Sequence, residues 1–124
     1  MAAEDLRQIL ALLAAYGRTL DTQQWDDHAA LYADDCHLLV FESDYAGRGS
    51  ILEFLKGARR GKHITAVPSV VVQANRATSA SDYVFFEPDC TLFNAGRYDD
   101  ELVRERGAWR FARRTITIDF RRES

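Results

Sequence analysis

The chain has 124 residues, 47% of them hydrophobic and 28% charged, a globular composition that excludes a disordered or fibrous protein. Sixteen Lys and Arg against 19 Asp and Glu leave a net charge of −3, so the chain as a whole offers no basic footprint for nucleic acid. No apolar run approaches the ~20 residues that span a bilayer, and MAAEDLRQIL lacks the basic leader and apolar run of a secretory signal. One domain over residues 1–124, located in the cytoplasm, is the expectation.

Leu6, Ile9, Leu10, Leu13, Tyr16 and Leu20 recur at spacings of three and four, the stripe of an amphipathic helix whose last turn Gly17 weakens. Asp21-Thr22-Gln23-Gln24 reads as a cap opening a second helix, with Trp25, Ala29 and Tyr32 on one side and a stop at Ala33-Asp34-Asp35. The short apolar run CHLLVF, Cys36 to Phe41, favours a strand, and ESDYAGRG a loop. Ser50 with Glu53 forms a capping-box pattern, and Ile51, Phe54 and Leu55 give a third helix ending near Gly57 or Gly61.

From His63 onward the hydrophobic period changes from about 3.6 to 2. Strands are expected over 63–73, 77–86, 90–103 and 109–120, with turns at Asn75-Arg76, Glu87-Pro88-Asp89 and Arg106-Gly107. Pro68 cannot donate to a ladder and calls for a bulge or an edge. Three helices ahead of, and interleaved with, a long antiparallel meander make an α+β fold in which a curved sheet packs on the helices, with Pro68 and Gly96 as bending points. Such a sheet can close around a cavity.

Cys36 and Cys90 each open an apolar segment without metal-type spacing, so buried free thiols are expected. His28, His37 and His63 are too scattered for a metal site. The late arginines 97, 104, 106, 110, 113, 114, 121 and 122 are balanced by Asp99, Asp100, Glu101 and Glu105. Cross-strand ion pairs on an outer face or at a subunit contact explain them better than nucleic-acid binding.

The succession YxxxLDxxxW, LYADDC, GRGSILEFL, KHITAVPSVVV and AGRYDDELVRERGAWRFARRTITID, over about residues 4 to 120, resembles the SnoaL-like branch of the nuclear transport factor 2-like superfamily. The resemblance implies a cone-shaped, curved antiparallel or mixed sheet wrapped around three helices of the N-terminal half. It also implies an enclosed apolar pocket and a homodimer or homotrimer formed through the sheet. The superfamily includes scytalone dehydratase, ketosteroid isomerase, polyketide cyclases, epoxide hydrolases and the β subunits of ring-hydroxylating dioxygenases, so the fold alone does not choose a reaction. Asp21 ahead of Trp25, and His63 opening a long strand, match two positions of scytalone dehydratase. That enzyme's second His falls within ASDYVF, with Asp82 nearest, its Tyr at about Val40, and its Ser and Asn near Gly96 and Tyr98, so most of its site is changed. Tyr16 stands where ketosteroid isomerase carries its oxyanion-holding Tyr, but the base of that enzyme falls near Val40, which cannot take a proton.

His63 is the first candidate, because an imidazole titrates near neutrality and can serve as base and then acid; the alternative is an exposed strand-end residue beside Lys62. Asp21 either orients His63 or only caps a helix. Asp82 shares a strand face with Ala80, Val84 and Phe86; pointing inward it is a pocket carboxylate, outward it is surface polarity. Tyr16 and Asn94 are candidate polar ligands, each with a structural alternative, and Trp25, Val40, Phe41, Val67 and Phe86 are candidate walls. The expected function is a cofactor-independent dehydratase, isomerase or cyclase acting on a small hydrophobic, polyketide-like or aromatic molecule, with no nucleic-acid or membrane partner. The alternative is a non-catalytic ligand-binding or structural subunit of a larger oxygenase-type complex.

Overall fold

The computed structural model describes residues 3–123. Helix α1 (Ala3–Asp21) forms where the apolar stripe predicts it, with Glu4 and Asp5 in the first turn and Arg18 in the last, the charge order that suits a helix dipole. It runs through Gly17 unbroken, and the missing side chain there matters. A Cβ at Gly17 would lie 3.3 Å from the Cβ of His63, so glycine lets α1 lie close against strand β3 (Lys62–Thr65).

Helix α2 (Trp25–Ala29) ends earlier than its periodicity suggests, because Tyr32 leaves the helix to open β1 (Tyr32–Val40). Asp21 does not cap α2: the residue before Trp25 is Gln24, and no side chain closes that end. The loop expected after β1 contains a further strand, β2 (Ser43–Ala46). It returns through a two-residue turn in which Phe41 and Glu42 have φ of 53° and 63°. That left-handed pair is the tight hairpin turn that usually recruits Asn and Gly, and Phe-Glu carries no such signal. Helix α3 (Arg48–Lys56) starts after Gly47 with no side-chain cap, so the Ser50–Glu53 pattern goes unused.

The expected strand over 63–73 is two strands, β3 and β4 (Ser69–Gln73), both antiparallel to β5 (Arg76–Phe86). Pro68 lies in the gap between them, at the edge of the sheet, where its missing N–H costs no ladder bond. With β6 (Leu92–Glu105) and β7 (Ala108–Arg121), the strands form one seven-stranded sheet in the order β2-β1-β7-β6-β5-β3, β4 also pairing with β5. The β1–β7 pairing is parallel and the others antiparallel, so the sheet is mixed. It is not closed: β2 stands at one edge and β3 at the other. Gly96 sits at a register shift between β6 and β7, where a Cβ would come within 2.0 Å of the Thr117 carbonyl oxygen. Only glycine permits that approach at the register shift.

The core lies between the helices and the concave face of the sheet. Ile9, Leu38, Ile51, Leu102 and Phe111 are completely buried, each contributing roughly 1.5–3 kcal/mol. Cys36 is buried as expected, but Cys90 is exposed. It belongs to the turn after β5, its N–H bonded to the Glu87 carbonyl at 2.8 Å, and β6 begins only at Leu92. Among the described residues no helix is long and apolar enough to cross a membrane.

Candidate active site

A cavity of about 350 Å³ opens between the end of α1, the start of α2, α3 and the concave side of the sheet. His63 and Asp21 meet at its wall. The Asp21 carboxylate accepts from the His63 backbone N–H at 2.8 Å through Oδ2 and contacts the imidazole Nδ1 at 2.6 Å through Oδ1. Two attachments from one carboxylate fix both the backbone and the ring of His63. The Asp21 side chain is 6% exposed and that of His63 18%, so the pair borders the cavity without facing bulk water. An ionised carboxylate only accepts, so the contact calls for a proton on Nδ1. Nε2 has no protein partner among the described residues. The ring also packs on Phe85 at a centroid distance of 4.5 Å.

Of the other candidates, Tyr16, Trp25, Val40, Phe41 and Asn94 line the same cavity, and Val67, Asp82 and Phe86 do not. The reason is the phase of β5. Its buried positions are Ala77, Ser79, Ser81, Tyr83 and Phe85, which leaves Asp82, Val84 and Phe86 on the opposite face. The apolar company of Asp82 is therefore company on the outer face, where its cross-strand neighbour is Arg97. Phe86 instead borders a groove with Glu87, Pro88 and Cys90. Val67 falls in the gap between β3 and β4 and is 92% exposed.

Sequence reasoning missed Tyr83 and Phe85, which the inward phase of β5 brings to the cavity, and gave Tyr98 no role of its own. Tyr83 and Tyr98 stack face to face, centroids 4.5 Å apart and planes 7° from parallel. Burial pushes the Tyr83 phenol up to about 12 and raises those of Tyr16 and Tyr98, so all three keep their protons at neutral pH. The Asn94 Oδ1 is buried with no hydrogen-bond partner, an acceptor left over at the cavity.

Two buried polar clusters support the site. Arg114 and Asp100, direct neighbours across β6 and β7, pair at 2.7 and 3.0 Å, and the Ser79 hydroxyl donates to Asp100 at 2.8 Å. The guanidinium carbon lies 3.8 Å from the Tyr98 ring centroid and 4.2 Å from that of Tyr16, a cation held between two rings of the cavity wall. Burial works against that charge, but Asp100 overrides it and holds the Arg114 pKa above its ordinary value. In the second cluster, His28 is completely buried, its Nδ1 2.8 Å from the Thr19 hydroxyl and its Nε2 3.0 Å from that of Tyr32. Burial first, then the charge of Arg114, push the His28 pKa down to about 4, so its ring is neutral. Its spacing, three after Trp25 and four before Tyr32, was the available sign that it faces inward. His37 meets Asp44 at 3.0 Å on the outer hairpin. Among the described residues no three His, Cys, Asp or Glu side chains are grouped to hold a metal ion.

The SnoaL-like domain family matches residues 1–115. No curated protein matches in sequence. Among solved structures, a Mycobacterium tuberculosis protein of unknown function is 26% identical with a TM-score of 0.88, over 95% of this chain and 78% of the other. A Novosphingobium aromaticivorans protein provisionally named a scytalone dehydratase is 22% identical with a TM-score of 0.80, over 94% of this chain and 85% of the other. A hexachlorocyclohexane dehydrochlorinase of Novosphingobium barchaimii is 17% identical with a TM-score of 0.85, over 96% and 89%.

Proposed function

Because the chain belongs to the SnoaL-like domain family, we propose that it is an acid/base enzyme that eliminates a small leaving group from a hydrophobic, cyclic molecule, with His63 as the base and Asp21 as its positioning partner. The observation that carries this reading is the double grip of Asp21 on His63, at 2.8 and 2.6 Å, on the wall of an apolar cavity. A structural histidine needs no such restraint, whereas a base must hold one tautomer and one direction. Two of the structural neighbours bear the names of eliminating enzymes, a dehydratase and a dehydrochlorinase, which favours elimination over cyclisation.

For a cyclic β-hydroxy ketone the steps balance without a cofactor. Nε2 of His63 takes the proton from the carbon next to the carbonyl, and the electron pair left behind collects on the carbonyl oxygen as an enolate. Of the three protonated phenols on the cavity wall, Tyr16 is assigned as the donor to that oxygen. The enolate then expels the β-hydroxyl, which receives the proton from His63, giving an enone and water and returning the imidazole to its starting state. Asp21 stabilises the imidazolium between the two transfers. Trp25, Val40 and Phe85 are the apolar walls that exclude solvent from the enolate.

A panel of cyclic β-hydroxy ketones, followed by the ultraviolet absorbance of the enone, tests this. The expected result is turnover that His63→Ala lowers by about 10²–10⁴-fold with binding retained. Binding without turnover in the wild type identifies a container rather than an enzyme, and equal turnover in both proteins removes His63 from the chemistry.

A further inference from the structure

The mouth of the cavity differs in charge from its interior. Arg59, Arg60 and Arg121 all border it, although the chain as a whole is acidic. Three guanidiniums gather on one ring of the cavity wall: the carbons of Arg59, Arg121 and Arg122 lie 4.2, 5.4 and 5.6 Å from the Phe93 centroid. Two of them share a single carboxylate, Glu87, which Arg59 meets at 2.7 Å and Arg122 also contacts. Arg60 and Arg121 have no ion-pair partner among the described residues. The acid of the cavity wall, Asp21, is already occupied by His63. Like charges this close repel unless a counter-charge joins them; Glu87 pairs with two of the guanidiniums, and Asp89 acts on Arg122 from further off.

Phe41 adds a second sign of a built feature. It stands at the mouth with its ring 5.7 Å from the Arg121 guanidinium carbon, 58% exposed, on a left-handed backbone that a bulky residue adopts only under constraint. An exposed aromatic ring beside an unpaired guanidinium suits a ligand that is apolar on one side and anionic at its end.

We infer that the ligand of this cavity is an amphiphile, an apolar body seated against the aromatic walls with an oxyanion, carboxylate or phosphate in type, held at the mouth by Arg60 and Arg121. Arg59 and Arg122, pinned to Glu87, set the field, and Arg60 and Arg121 make the direct contacts. The inference names the substrate class of the site proposed above and rests on that cavity being the ligand site. It does not depend on the chemistry at His63.

The test is calorimetric titration with two matched pairs, 2-naphthoate against 2-naphthamide and decanoate against decanamide, each at low and high salt. The expected result is that each acid binds about tenfold more tightly than its amide, as two charge-assisted contacts imply, and that the preference shrinks as salt rises. Arg60→Gln with Arg121→Gln removes the preference while amide binding stays within about twofold. His63→Ala keeps the preference, so its persistence in a protein without turnover separates ligand class from catalysis. Equal binding of acid and amide, binding of neither pair, or a preference that survives the double arginine variant overturns the inference. A second round with naphthyl phosphate and naphthyl methyl ether distinguishes phosphate from carboxylate as the anion.

Discussion

Asp21–His63 and Asp100–Arg114 are two short acid–base contacts, 2.6 and 2.7 Å, within one small molecule, and they do opposite things. The Asp100–Arg114 side chains are 0% and 1% exposed and closed in by Ser79 and aromatic rings, so the charge there cannot be exchanged with a ligand or with water. Its effect is to stiffen Tyr16 and Tyr98 from behind. The Asp21–His63 pair keeps one ring nitrogen without a protein partner at the edge of a cavity. Similar distances therefore say little about role; what separates a structural ion pair from a candidate proton carrier is whether a basic atom is left without a protein partner beside the cavity.

The sharpest way to break this contrast is to remove one member of each pair. His63→Ala should lower turnover by about 10²–10⁴-fold while stability stays within about 1 kcal/mol, read by initial rates and urea unfolding. Arg114→Met should do the reverse in kind, costing about 3–5 kcal/mol because Asp100 is left buried and unpaired. The double variant Arg114→Met with Asp100→Leu should recover most of that loss, and a double variant as unstable as the single one would show that the pair itself, not the orphaned charge, carries the stability.

A pH series sharpens the comparison further. The folded-state pKa of His28, at about 4, lies below its unfolded value, so the unfolded chain binds the extra proton first. Its contribution is complete above the unfolded pKa of about 6.5 and is lost as pH falls toward 4, about 2 kcal/mol between pH 7.5 and pH 5. His28→Gln should flatten that part of the stability profile, measured by urea midpoints at pH 5 and 7.5. The smallest effects belong to positions off the cavity: Val67→Ser and Asp82→Asn should leave stability within about 0.5 kcal/mol and turnover unchanged. A large loss of turnover from Asp82→Asn would mean that the outer face of β5 takes part after all.

Much of this architecture can be read from residue order. The stripe from Leu6 to Leu20, the change of period at His63, and the interruptions at Pro68 and Gly96 follow from local sterics and hydrophobic spacing, and each appears in the fold. The β1–β2 hairpin could not be read, because Phe41 and Glu42 take a turn conformation that their own preferences disfavour and that pairing with β1 imposes. Helix α2 is shorter than its apolar spacing because Tyr32 pairs with Phe111 on β7, a partner 79 positions later.

Sequence by itself determined the fold class, the helix stripes and the period of the strands, together with His63, Asp21 and Tyr16 as residues of interest. Tertiary structure alone decided which phase of each strand faces inward. An alternating pattern has two equivalent faces until a partner layer covers one of them, so Tyr83 and Phe85 came to the cavity and Asp82 and Phe86 did not. The register shift between β6 and β7 at Ala95/Gly96 then brings Arg121, seven positions after the buried Arg114, to the cavity as well. Chain order cannot make that distinction, because the free energy that sets it comes from burial against helices distant in the sequence.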